Sequence, residues 1–435
     1  MTRKMKDSGI EWIGEIPEEW ETIKIKHLFN VSRGRVISKL EINDNGKYPV
    51  YSSQTENDGI FGYLNTYDYS GESLTWTTDG EKAGTVFYRK GKYNCTNICG
   101  ILQKKKKSLF KTDIRFLFYA IKMVAEENKR PDTNGHKIMS NEMERLCIPI
   151  TNYNNQVKIG TILDNITKNI NNTHNLIKKE IENLEDYKKS VITEAVTKGL
   201  YKNVEMKDSG IEWIGEIPKH WKVNRLKFLV IDRQAGIWGK EVESEGEDRN
   251  IICIRVADFD FPRMTIRKDR GFTVRNYSNI DIIKYYLDKG DILVEKSGGG
   301  EKSPVGRTII WEENFVAVYA NFIERIRMDQ NKICPMYAQY VFYAFYNMGI
   351  SNLFFNQTTG IQNLDLSKMI RTLRFPVPSL NDQLNIINYL NKVIKILDET
   401  IEAKQKQLEI LEEYRKSLIY EYVTGKKEVE DGEET

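Results

Sequence analysis

Two stretches of this chain carry apolar residues at helical spacing over lengths beyond an ordinary globular helix. In the first, Leu163, Ile166, Ile170, Ile177, Leu184 and Val191 step in threes, fours and sevens, with Tyr187 read into the same stripe. That is a coiled-coil seam, interrupted by polar Thr173 and Glu180. Residues 156–199 align without a gap on 383–426, pairing Leu163 with Leu390, Ile170 with Leu397, Tyr187 with Tyr414 and Ser190 with Ser417. Thr400 and Gln407 repeat the polar breaks, and Gly199 is placed as the first helix's C-terminal stop. A helix of roughly 42 residues spans about 63 Å.

A second repeat precedes each block. Residues 5–17, MKDSGIEWIGEIP, recur unchanged at 206–218, and the match continues through Trp20/Trp221 and Leu28/Leu229. Gly9, Gly14 and Pro17 argue against a helix there. Trp12, Ile13, Ile16 and Trp20 argue for an arm packed on apolar surface, and packing is the preferred reading. The frame repeats, while the intervening blocks hardly do.

The blocks read as strands between turn residues. The first predicts strands at 48–51, 59–63, 73–77, 84–88 and 97–103, and an amphipathic helix over 111–124. The second predicts strands at 251–256, 291–294, 308–311 and 321–326, and a Tyr/Phe-rich helix over 336–348. The expected plan is α+β: a first domain over 1–150 with its arm at 5–21, a long helix and linker over 151–204, and a second domain over 205–378 with its arm at 206–222. A second long helix over 379–427 and a disordered acidic tail over 428–435 complete it.

Composition narrows the chemistry. With 435 residues, 40% hydrophobic and 29% charged, the chain suits two or three soluble domains, and a net charge of +3 makes any basic surface local. The five cysteines are odd in number and form no CxxC, so they read as thiols in a reducing cytosol, not as a zinc site. No apolar run approaches a membrane span. Gly298-Gly-Gly-Glu-Lys-Ser303 lacks the Gly directly before Lys302 that a phosphate loop needs. There is no Asn/Asp-Pro-Pro-Tyr/Phe of amino-methyltransferases. Pro131-Asp132 has no nearby acidic-x-Lys partner, and the four histidines are scattered. No catalytic residues and no metal ligands are expected.

What the sequence does carry is Gly, Lys, Asn, Thr and Gln in matching loops, the chemistry of phosphate and base-edge contact. Block one offers Thr77, Thr78, Asp79, Lys82, Asn97, Asn134, His136 and Lys137. It also offers Lys104 and Lys105, in a four-lysine run that is either a solvated turn or a phosphate-contacting edge. Block two offers Lys296, Ser297, Lys302, Arg307, Asn321, Gln357, Thr358, Thr359, Gln362 and Asn363.

The arm DSGIEWIGEIPxxW, the helix end YKKSVITEAVTKG and the loops TWTTDG and EKSG resemble the specificity subunit of type I restriction–modification systems. The resemblance implies two target recognition domains reading a split double-stranded DNA sequence, with antiparallel long helices as a ruler. It implies two methyltransferase subunits docked on arms and helices, with Trp12, Trp20, Trp213, Trp221, Tyr187 and Tyr414 as candidate contacts. Two motor-nuclease subunits complete a cytoplasmic phage-defence complex. S-adenosylmethionine, ATP and magnesium are then expected on the partners and none on this chain. The competing readings are a coiled-coil scaffold and a single-chain DNA-modifying enzyme.

Overall fold

The two long helices are Tyr153–Lys198 and Leu380–Val423, of 46 and 44 residues, or about 69 and 66 Å. Asn152 starts the first by accepting from the Asn155 amide (3.0 Å), and Ser379 starts the second through the Asp382 amide (3.2 Å). Gly199 and Gly425 follow their ends with φ of +76° and +72°. The computed structural model describes residues 3–43, 45–107, 110–201, 203–242, 249–358 and 360–429. Residues 430–435 of the expected tail, and Thr359, lie outside them. The side chains of Gln357 and Thr358 are likewise not described.

The chain divides into two units. One comprises residues 1–177 and 406–435, the other 178–405, so the division cuts both long helices, whereas the sequence places boundaries at their ends.

In the first unit, a six-stranded sheet runs in the order Phe29–Arg33, Cys99–Lys104, Tyr69–Thr77, Val86–Cys95, Tyr48–Tyr51, Ile60–Leu64. The expected strands are present. Two grow: the strand from Val86 continues through Arg89-Lys-Gly-Lys92 because it pairs residue by residue with Tyr69–Trp76. Helix Ile114–Glu127 is capped by Asp113, which accepts from the Arg115 and Phe116 amides at 3.0 and 3.1 Å. Its buried face meets Ile16 and Trp20 of the arm, Ile159 and Leu163 of the first long helix, and Leu418, Ile419, Tyr422 and Val423 of the second.

The second unit repeats this. Strands Val230–Ala235, Ile323–Met328, Ile292–Glu295 and Thr308–Ile310 form one sheet in that order. The counterpart of Val86–Cys95 is interrupted, so Ala317–Tyr319 pairs separately, in parallel, with Asn250–Ile254, as Val50–Tyr51 pairs with Asn94–Cys95. Helix Pro335–Asn347 joins Ile217 and Trp221 of the arm, Val191–Val196 of the first long helix and Ile386, Leu390 and Ile394 of the second.

Each arm is a two-strand pair, Met5–Asp7 with Glu15–Pro17 and Met206–Asp208 with Glu216–Pro218. Trp20 and Trp221 are core residues, 1% and 3% exposed, which removes them as docking contacts. Trp12 and Trp213 are half-buried against the same cores. A Cβ on Gly425 would come within 2.7 Å of Pro17, and one on Gly199 within 3.0 Å of Trp221, so each helix ends against an arm.

Inside each unit the long-helix segments run antiparallel. Lys188 meets Asp398 (2.6 Å) and Glu180 meets Lys404 (2.5 Å) in one, and Asn171 meets Arg415 (3.5 Å) in the other. Leu163, Ile170 and Val191 are buried as the seam predicts. Tyr187 is not in it: it is 54% exposed, and the buried position of that turn belongs to Lys188, 3% exposed, which also donates to the Pro262 carbonyl at 2.7 Å. Lys188→Met removes a buried cation from two acceptors, one of them the partly solvated Asp398. It is expected to cost about 2–3 kcal/mol in a denaturant titration, against under ~0.5 kcal/mol for Tyr187→Phe.

Candidate nucleic-acid interface

The loops singled out in the sequence come together in each unit, through the same backbone stitch. In the first, the Thr78 amide donates to the Ile98 carbonyl (3.2 Å) and the Ile138 amide donates to the Thr78 carbonyl (3.0 Å). In the second, the Lys296 amide donates to the Phe322 carbonyl (2.9 Å) and the Leu364 amide donates to the Lys296 carbonyl (2.8 Å). Three loops therefore converge in each: 77–82, 96–98 and 134–137, and then 296–303, 320–322 and the strand ends 356–358 and 361–363. A small three-stranded sheet holds them. Asp79–Gly80 lies beside the hairpin of Arg130–Asp132 and Gly135–Lys137, and Ser297–Gly298 beside that of Phe355–Thr358 and Ile361–Leu364. Gly135 is required in the first, since a Cβ would approach Glu81 to 2.8 Å.

Several candidate side chains are occupied within the protein. Thr77 and Thr78 are buried, and their hydroxyls donate to the carbonyls of Lys82 (2.6 Å) and Ile98 (3.0 Å). Lys137 lies 3.2 Å from Asp132 and 3.3 Å from Asp79, and these carboxylates, Asp132 foremost, raise its pKa. Arg307 makes a two-point pair with buried Glu295 at 2.7 and 2.8 Å. Gln362, 3% exposed, accepts from the Val305 amide at 3.1 Å and so ties down the 299–305 turn. His136 sits in the hairpin with its Nδ1 buried and unbonded. These are positioning residues of the loops.

The groups left open to solvent are Lys82, Asn97 and Asn134 in the first unit, and Lys302, Asn321 and Asn363 in the second, with Lys296 and Ser297 half-exposed. Ser297 donates to Asn363 at 2.7 Å, orienting the amide. Among the described residues no acidic partner is present for Lys82, Lys296 or Lys302. Each face thus offers amide edges with cations beside them, suited to base edges and phosphates.

Lys104 and Lys105 are not part of it. Strand Cys99–Lys104 starts beside the converging loops and ends opposite Phe29, about 17 Å away at strand rise. There the Lys104 amino group donates to the Thr112 carbonyl, and burial lowers its pKa.

One loop on each face escaped the sequence reading. Gly34 and Gly236 follow the first strand of each block, and a Cβ there would strike the Cys95 carbonyl at 2.1 Å or the Ala320 carbonyl at 2.3 Å. These glycines bring 34–36 and 236–239 beside the turns carrying Asn97 and Asn321. The signal was a glycine about 17 residues after the closing proline of each repeated arm, Pro17 and Pro218.

Comparison with known proteins places these features. The family model described as "Type I restriction modification DNA specificity domain" matches residues 17–183 and 263–410. A Mycoplasma pneumoniae chain described as the N-terminus of a type I specificity subunit is 43% identical over 33% of this chain and 76% of its own. The type I restriction enzyme MpnII specificity subunit of that organism is 37% identical over 38% of this chain and 48% of its own. The MjaVIII specificity subunit of Methanocaldococcus jannaschii is 26% identical over 94% of this chain and 93% of its own. A chain solved in work on assembly and conformational transition of a type I system shares the fold, with TM-score 0.65 at 13% identity over 94% of this chain and 98% of its own.

Gln362→Leu leaves the buried Val305 amide without an acceptor. It is expected to cost about 1–3 kcal/mol and to speed hydrogen exchange in 299–305, read by mass spectrometry.

Proposed function

Because this chain belongs to the type I restriction–modification DNA specificity family, we propose that each unit reads one half of a bipartite duplex target through its three converging loops. The chain is the recognition component of such a system and not its catalyst. The observation that carries the reading is the same backbone stitch in both units, with different side chains at the matching positions: Thr78, Asp79 and Lys137 on one, Lys296, Ser297 and Asn363 on the other. A scaffold would have no use for a kept geometry with exchanged polar edges. The deciding experiment is to co-express the chain with a methyltransferase subunit and map modified adenines on a random-sequence library. A split motif is expected; unmodified DNA, or an unsplit motif, would overturn the reading.

Methyltransferase and restriction subunits are the partners of the complex, and we infer two methyltransferases per chain. Tyr187 and Tyr414 are 54% and 55% exposed yet occupy equivalent places in the two helices. Ser190/Ser417, Lys6/Lys207, Asp7/Asp208 and Glu11/Glu212 are also identical and exposed in both copies. Packing does not demand identity at exposed positions, but one partner type bound twice does. Tyr187→Ala or Tyr414→Ala is expected to leave one methyltransferase bound and the double variant none, by native mass spectrometry. We further propose that S-adenosylmethionine, ATP and magnesium are held by those partners, two restriction subunits complete the assembly, and it works in the cytoplasm. No described helix is long and apolar enough to cross a membrane.

The long helices supply the ruler in this reading. Four residues inserted after Ile177 and four before Lys406 add about 6 Å of helix. The gap between half-sites is expected to widen by one to two base pairs of about 3.4 Å each, with both half-sites unchanged in the mapped motif. Unchanged spacing with retained methylation would remove the helices as ruler. Separately, Lys296→Ala with Lys302→Ala is expected to lower the slope of log K against log salt by about two.

A further inference from the structure

The second unit exposes an indole beside its reading face that the first does not have. Trp238 is 37% exposed on the loop after Gly236, next to the turn bearing Asn321. The loop is rigidly held. The Ile237 amide donates to the Tyr319 carbonyl at 2.9 Å, and the Tyr277 hydroxyl donates to the carbonyls of Ile237 and Trp238 at 3.3 and 3.2 Å. Gly239, at φ +72°, passes so close to the Tyr277 ring that a Cβ would sit 2.7 Å from it. The Arg275 guanidinium lies 4.3 Å from the centre of the Trp238 ring. Its Nε is buried without a hydrogen-bond partner, and among the described residues it has no acidic one. At the matching place in the first unit, Arg35 is held by Glu41 (2.8 Å) and Asp68 (3.1 Å), and the next residue is Val36.

Resting on the DNA-reading function above, we propose that Trp238, backed by Arg275, is a wedge that stacks into an opened base step of the half-site read by the second unit. A rigid aromatic ring loses little freedom on contact. A guanidinium on its far side strengthens its stacking and stands ready for a flanking phosphate. Pyrimidine–purine steps open most cheaply, so such a step is expected at that place in the target. The first unit, with Val36, reads without opening its DNA.

The test uses the chain with its methyltransferase subunits on a duplex of the mapped target, with 2-aminopurine at successive positions of both half-sites. A fluorescence rise at one step of one half-site is expected to vanish with Trp238→Ala and persist in part with Trp238→Phe. Affinity should fall about tenfold with Trp238→Ala. Brightening from a base flipped by the methyltransferase survives the substitution and serves as the internal control. Specific binding by wild type together with unchanged fluorescence and affinity in Trp238→Ala overturns the wedge alone. A wild-type complex that binds the target no better than a scrambled duplex overturns the DNA reading and the wedge together.

Discussion

Both units depend on one contact, repeated: an arm tryptophan closed over the end of a long helix. Trp20 and Trp221 are buried where a Pro-bearing strand pair meets a helix whose last glycine has no side chain to hold it off. Around each ring the block helix, the arm and both long-helix segments share a core. Burying an indole is worth several kcal/mol, as large as a typical share of a domain's net stability. The contact fixes where the block stands on its helices, and the block fixes where its loops converge. That accounts for the identity of the buried arm residues between copies, Ile13 with Ile214 and Ile16 with Ile217, while the loops differ.

The frame was legible in the sequence because its signals are local and periodic. Heptad spacing, exact repetition and the closing Gly199 declare the long helices. The blocks were half legible. Individual strands could be read, but not that Val86–Cys95 runs through Lys90, Gly91 and Lys92, because pairing with Tyr69–Trp76 is a non-local fact. The convergence of loops followed from matched spacing. Which side chains stay free did not, since Lys137, Arg307 and Thr78 are spent on partners that only the fold supplies. Tyr187 fits the period as well as Lys188 does not, and a carbonyl and a carboxylate chose the lysine.

Charge compensation separates the two faces more sharply than composition could. In the first, Arg35, Arg130 and Lys137 are each committed to carboxylates, so Lys82 is left as the one candidate cation there without an acidic partner among the described residues, beside neutral amides. In the second, Lys296 and Lys302 stand without such partners among the described residues. A chain of net charge +3 thus carries its attraction for polyanions unevenly.

The first unit is made from both ends of the chain, residues 1–177 and 406–435, whereas the second is one continuous stretch, 178–405. The core of the first unit is therefore incomplete until residues 418–423 have been made, although most of its residues are made first. The block translated first waits on the ribosome with Ile159 and Leu163 short of Leu418, Ile419, Tyr422 and Val423, the last residues to enter its core. The second unit has no such wait, since its residues follow one another without a gap from 178 to 405. A chain cut before Leu418 would keep the whole of the second unit and lose part of the core of the first, so the damage would be felt about 250 residues or more away in sequence, at Ile159 and Leu163.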